Sequence, residues 1–148
     1  MKTTTIFAIG KSKTEYHEDA IADYQKRLSR WTNLKWDVMP SSDIETESKK
    51  ILGRLSTDVC VVLLDERGIE WSSPRVAEFI EDSQNNSIKD IAFIIGGPHG
   101  VTDELRDRAD VVWSLSHLVF PHEMVRLIVA EQLYRAYDML HGGSYHHK

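Results

Sequence analysis

IAFIIGGPHGVTDEL, residues 91–105, is the stretch that decides the fold. Its first five residues, Ile91–Ile95, are apolar without interruption, so a strand there has both faces covered. Gly96, Gly97 and Gly100 then allow the backbone to turn and to approach a ligand closely. Thr102 follows as the cap of a short helix running to Arg108. Strand, glycine turn and helix form the repeating unit of a parallel sheet with helices on each side. Upstream, Val59–Leu64 is a second run of this kind, and the two are expected to be central strands.

Outward from this core the chain alternates between strand and helix patterns. Thr3–Ile9 reads as a strand ended by Gly10. Glu15–Trp31 reads as a helix, with Ile21, Tyr24 and Leu28 at helical spacing. Leu34–Met39 is a strand stopped by Pro40, and Ser42 or Asp43 caps a helix with Ile44, Ile51, Leu52 and Leu55 on its apolar face. Ser73-Pro74 opens a helix with proline at its first position. Val111–Trp113 is a last short strand, and Pro121 opens a long helix to about Leu140. This alternation predicts an α/β fold of three layers with a mostly parallel sheet. Ligands of such sheets sit beyond the carboxyl ends of the strands. Asp65–Ser72, Gly96–Val101 and Ser114–Pro121 leave strands at that edge, and the site is expected among them.

Composition narrows the class. With 148 residues, the chain has room for one domain, residues 1–148, and at 41% hydrophobic and 28% charged it has a soluble globular profile. No apolar run approaches the ~20 residues that span a bilayer. The N-terminus lacks the features of a secretion signal, which predicts a cytoplasmic protein. Cys60 is the single cysteine, cannot pair within the chain, and sits in an apolar run that suits core packing. The net charge of -5 argues against a general nucleic-acid coat. Residues 1–60 carry ten Lys/Arg against nine Asp/Glu, whereas residues 61–148 carry eight against fourteen. Any RNA contact is therefore local, with Lys11, Lys13, Lys26, Arg27 and Arg30 as candidates. An ordinary solvated helix face explains them equally well.

Four segments could carry chemistry. Gly96–Val101 is neither GxGxxG nor a P-loop. The helix after it begins Thr102-Asp103-Glu104, and two carboxylates at the positive end of its dipole disfavour a phosphate there. It suits a ligand without phosphates, or is a plain turn. Asp65 and Glu66 could serve as acid and base, or form a solvated turn with Arg67. Ser114–Phe120 mixes polar and apolar residues, the usual lining for an aromatic ligand. The helix that follows is apolar almost all round at Met124, Val125, Leu127, Ile128, Val129 and Ala130, which calls for a partner protomer or for burial within the monomer. The tail holds His141, Tyr145, His146 and His147 around two glycines and has no cysteine, so a frayed polar terminus is expected there and no metal.

GGPHG, WSLSHLVFPHEMVR, EQLYRA and the terminal YHHK, with LLDERG upstream, together resemble the large-subunit ribosomal RNA methyltransferase H family of the SPOUT superfamily. The resemblance covers the whole chain. It implies a SPOUT-type domain whose C-terminal part forms a deep trefoil knot, a homodimer built on the long last helix, and S-adenosylmethionine as methyl donor. The implied acceptor is N3 of a pseudouridine in large-subunit rRNA on the assembled ribosome, with no DNA and no membrane involved. By position, the cofactor contacts fall on Leu64, Gly96 and the run Leu115, Ser116, His117, Leu118, Val119 and Phe120. Arg135, Tyr145 and His146 are the candidate catalytic groups: Arg135 for the developing uracil oxyanion or a phosphate, Tyr145 or His146 for the proton. The sequence departs from the family at His99, where an acid is common, and at His147-Lys148. Two rival readings are a non-catalytic ribosome-binding module that keeps the cofactor pocket, and a flavodoxin-like nucleotide binder. The missing phosphate loop and the acidic helix start oppose the latter.

Overall fold

The alternation of side-chain direction along each strand accounts for the layers in a computed structural model, which describes residues 1–11, 15–86 and 90–147. The elements run β1 (Thr3–Ile9), α1 (Glu15–Leu28), β2 (Asn33–Met39), α2 (Ile44–Arg54), β3 (Cys60–Glu70), α3 (Ser73–Asn85), β4 (Ile91–Ile95), α4 (Asp103–Arg108), β5 (Val111–Ser114) and α5 (His122–Leu140). The five strands form one sheet in the order β2-β1-β4-β3-β5, and every pairing among them is parallel. All five residues of β4 are buried, as an apolar run between two neighbouring strands requires.

Ile91, Phe93 and Ile95 point to one face and pack with Leu28, Val76, Ile80, Val129 and Leu133 of α1, α3 and α5. Ala92 and Ile94 point to the other and pack with Ile51 of α2 and Leu105 of α4. The period-two side-chain geometry of a strand separates these two cores. Cys60 is a free, buried thiol in the first of them. Asp43 and Thr102 cap α2 and α4 as expected, each accepting a backbone N–H of the next turn, whereas α3 is capped by Ser72, so Ser73 is already helical and Pro74 is its second residue.

One expectation changes. Asp65–Ser72 is not a free loop after Leu64, because β3 continues to Glu70. The pairing of β3 with β5 breaks between Leu64 and Ile69 and then resumes at Ile69–Trp113 and Glu70–Ser114. The four intervening residues, DERG, bulge from the ladder. Gly68 closes the bulge so tightly that a Cβ there would overlap the backbone of Val112.

A buried charge anchors the last helix. Arg126 on α5 is 4% exposed, and its Nη2 donates to the carbonyl oxygens of Ile9 (2.8 Å) and Gly10 (2.6 Å). These carbonyls end β1, so the guanidinium ties α5 to the carboxyl edge of the sheet. Not all of α5 is covered. Arg126, Val129, Ala130, Leu133, Ala136 and Tyr137 are buried, while Met124 is exposed and Leu127 and Ile128 are only partly covered. Burial within the monomer therefore accounts for one stripe of the helix and not for its full apolar girth.

Candidate active site

Beyond the carboxyl ends of β4 and β5, beside the bulge of β3, lies a cavity of about 460 Å³, lined by three chain segments: Leu63–Arg67, Ile95–Val101, and Leu115 to Phe120. Trp113, His122 and Val125 complete its walls. Of the eight positions expected to hold a cofactor, seven line it: Leu64, Gly96, Leu115, Ser116, Leu118, Val119 and Phe120. His117 does not. Its side chain is 83% exposed, with Nε2 3.3 Å from Glu70 Oε1.

Local hydrogen bonds shape each wall. Gly100 N–H donates to Gly97 O (3.0 Å), and Gly100 has φ +86°, which favours glycine at the end of this turn. Thr102 N–H donates to the buried Ser48 of α2 at 3.0 Å, fixing the loop from outside. Ser114 Oγ donates to Ser116 O, and Ser116 Oγ accepts from Leu118 N–H, each at 3.0 Å. Gly96 packs closely against its own loop. A Cβ there would lie 2.9 Å from Val101 Cγ1 and 3.4 Å from Gly100 O.

The polar rim is held by Asp65. Its carboxylate accepts from Arg67 N–H and from the Arg67 and Arg106 guanidinium groups. Partial burial opposes its charge, but the hydrogen bonds from Arg67 and Arg106 outweigh it and hold the carboxyl well below the usual range. Asp65 is thus a latch between the β3 bulge and α4, already saturated with donors, and not a free base. His122 lines the opposite wall. Burial lowers its pKa, the nearby Arg126 lowers it further, and Glu47 pulls the other way. A neutral imidazole at the start of α5 follows.

The expected catalytic residues gather elsewhere, at the far end of α5. Arg135 Nη1 lies 3.0 Å from His146 Nδ1. A guanidinium only donates, so the imidazole proton sits on Nε2. Arg135 also donates through Nε (2.9 Å) and Nη2 (2.6 Å) to Glu131 Oε1. Its guanidinium carbon stands 4.8 Å from the Tyr145 ring centroid. Tyr145 N–H donates to Asp138 Oδ2 at 3.0 Å, and its ring packs edge-on against Tyr134 at 4.8 Å. The Tyr145 hydroxyl shares a hydrogen bond with Tyr24 at 3.5 Å and donates to Glu131 at 3.4 Å. The Tyr24 bond, then burial, then the Glu131 charge raise its pKa far above that of free tyrosine. Tyr145 therefore keeps its proton and is a hydrogen-bond donor, not a base.

Two carboxylates that organise this cluster, Glu131 and Asp138, escaped the sequence reading. The four-residue spacing of Glu131 and Arg135 on a helix was the available signal. Tail and cavity lie far apart within one chain. His122 and Arg135 are thirteen residues apart on one unbroken helix, roughly 20 Å at ~1.5 Å per residue. Among the described residues no group of three or more His, Cys, Asp or Glu could hold a metal ion, and no helix is long and apolar enough to cross a membrane.

Comparison with known proteins gives this arrangement a family. The family model described as predicted SPOUT methyltransferase matches residues 1–146. Ribosomal RNA large subunit methyltransferase H of Thioalkalivibrio sulfidiphilus is 38% identical over 151 residues, covering 95% of this chain and 96% of that protein. The protein of the same name from Gloeobacter violaceus is 38% identical, covering 96% and 97%. That from Bacteroides thetaiotaomicron is 34% identical, covering 98% and 99%. With the family model and these near-full-length relatives agreeing, the chain belongs to the SPOUT methyltransferases, within the group named ribosomal RNA large subunit methyltransferase H.

Proposed function

We propose that this cytoplasmic protein is a homodimeric enzyme that methylates N3 of a pseudouridine in large-subunit rRNA on the assembled ribosome, with S-adenosylmethionine as donor. The observation that carries the reading is the division of the site along α5. A cavity suited to a phosphate-free aromatic ligand stands at its start, and a cluster of proton-handling groups stands at its end. The cavity suits this cofactor in three respects: an apolar wall from Leu64 to Phe120, a glycine where backbone meets ligand, and an acidic helix start that repels phosphate.

Bound there, the cofactor supplies an already activated methyl group, and the chain's own residues manage the acceptor. N3–H of the base is a weak acid and nucleophilic only after its proton leaves. A uracil carbonyl oxygen replaces His146 Nδ1 as the acceptor on Arg135. This spreads the developing negative charge onto a guanidinium that Glu131 holds in place. The lone pair freed on Nδ1 then takes the N3 proton. Tyr145, protonated throughout, donates to the base and fixes its orientation.

Dimerisation makes the two halves one site. A second copy running antiparallel along α5 brings its tail to the cavity of the first. Support comes from the uncovered apolar residues around the cavity end of α5. Leu118 is 69% exposed, Val119 77% and Met124 37%, with Leu127 and Ile128 half-covered beside them. Ile128→Asp places a carboxylate in that interface, which is strongly unfavourable. Light scattering will then report a single chain's mass where wild type gives twice that. A wild-type protein that is monomeric at micromolar concentration overturns the dimer. The same reading includes the family's C-terminal knot. It draws support from the route after β5, which starts at the sheet edge beyond β3 and doubles back past the 96–101 loop to lay α5 against α1 and α3.

The direct test is methyl transfer from labelled S-adenosylmethionine to 70S ribosomes, followed by mass mapping of the large-subunit rRNA. One methyl group on N3 of a pseudouridine is the expected product. No incorporation, or incorporation at another atom, refutes the assignment.

A further inference from the structure

A stacked cationic patch lies where the C-terminal ends of α1 and α5 meet, outside both halves of the site. Residues 26–31 read KRLSRW, with three cations and no acid in a chain of net charge -5. Lys26, Arg27 and Arg30 are exposed. Arg27 is partly neutralised by Asp23 at 3.1 Å. Lys26 and Arg30 have no carboxylate within ion-pair distance among the described residues. Arg30 lies over the Trp31 ring, 5.1 Å from its centroid. Trp31 in turn stacks on Tyr137 (6.0 Å, 9°) and on the exposed His141 (5.1 Å, 18°). His141 Nδ1 donates to Tyr137 O at 2.7 Å, which leaves Nε2 turned to other partners. Arg27 sits over Tyr134 at 5.5 Å, and Tyr134 touches Tyr145, so the patch runs without a break into the catalytic tail.

We infer that this patch, Lys26, Arg30, Trp31 and His141 with Arg27 at its inner edge, is the surface that docks ribosomal RNA, its cations on the phosphates and the His141 ring against a base or ribose. The inference rests on the reading of the protein as an rRNA methyltransferase and adds the surface of contact. Unpaired cations on a flat aromatic stack suit a polyanion with planar bases. A protein acidic overall gains little from general attraction, so a confined basic patch carries a large share of its RNA affinity. Continuity with Tyr145 places the docked strand beside the groups that act on it.

The test uses the full-length double variant Lys26→Glu/Arg30→Glu and 70S ribosomes as the probe, with binding measured from low to moderate salt. Affinity is expected to fall about 10-fold or more, and the dependence on log salt to flatten by roughly 0.7–0.9 for each phosphate that is no longer neutralised. S-adenosylmethionine affinity should not move, and Lys26→Arg/Arg30→Lys should bind as wild type. Equal ribosome binding by the charge-reversal variant overturns the inference, even with methyl transfer intact. Patch-dependent binding without methyl transfer by wild type leaves the docking surface standing and refutes the activity. Ribosomes that fail to bind wild type refute both. A photo-crosslinking amino acid in place of the exposed Ser29 decides the partner: crosslinks to rRNA support the surface, while crosslinks to ribosomal protein, or none, reject it.

Discussion

Removing Ser144–Lys148 will lower methyl transfer to ribosomes by roughly 100-fold or more, the scale of a lost proton-transfer group. S-adenosylmethionine affinity and the thermal midpoint will stay close to wild type. The tail leaves the helix at Gly142 (φ +74°) and returns along α5 through the Tyr145–Asp138 hydrogen bond. Its described residues, 144–147, contribute nothing to either buried core and do not line the cofactor cavity. It does carry the partners of Arg135, so its loss falls on the acceptor side of the reaction. Single substitutions divide the roles. His146→Ala should reproduce most of the loss, since its imidazole sits on Arg135 with a lone pair to accept the proton, while Tyr145 stays protonated. Arg135→Lys should also be slow, because an ammonium cannot reproduce the fork that spans Glu131 and the acceptor oxygen. Full activity in the truncated protein would place the proton transfer on the RNA or on a group at the cavity and remove the tail from the mechanism.

Gly96→Val will abolish detectable cofactor binding by calorimetry, a loss of at least about 100-fold, while circular dichroism remains that of the wild type. The added Cβ meets Val101 Cγ1 at 2.9 Å and Gly100 O at 3.4 Å. The branch methyls of valine have few staggered positions to choose from. They crowd Val101 and Gly100 further and push the 96–101 segment, which walls the cavity, out of place. Gly96→Ala, with a single methyl that a rotation of Val101 can accommodate, should weaken binding far less. Both variants keep β4 and its pairings, since Gly96 lies one residue past the strand. A valine variant that binds as tightly as wild type would contradict the assignment of this cavity.

How far the sequence told this in advance depends on the kind of signal. β4 and the first half of β3 are apolar on both faces, and that pattern has one common cause, so the central strands were plain. Two helix starts were equally plain, because Asp43 and Thr102 precede them with the side chains that caps require, while two adjacent serines before Pro74 left the start of α3 one residue out. The second half of β3 was hidden. DERG looks like a turn because it is one, and only the re-pairing of Ile69 and Glu70 with β5 makes it a bulge inside a strand. The burial of Arg126 was hidden for a similar reason. Its acceptors, Ile9 and Gly10, are more than a hundred residues away in sequence, and no local pattern announces a tertiary contact. The cavity walls were legible from the three glycine-rich or mixed loops at the carboxyl edge. The grip of Glu131 on Arg135 was legible only in principle, since helices commonly place charges at that spacing without function.

The length of α5 sets a rule for mixtures. If cavity and tail belong to different chains, each dimer holds two sites, and each site takes one half from each protomer. A Gly96→Val protomer has a spoiled cavity and a sound tail, and a tail-truncated protomer has the reverse. Alone, each is inactive. Unfolded together in equal amounts and refolded, they form heterodimers in which one of the two sites unites a sound cavity with a sound tail. Random pairing then restores roughly a quarter of the wild-type sites, from two dead parents. A site completed within one chain restores none, so this subunit complementation reads the reach of the helix directly as a yield.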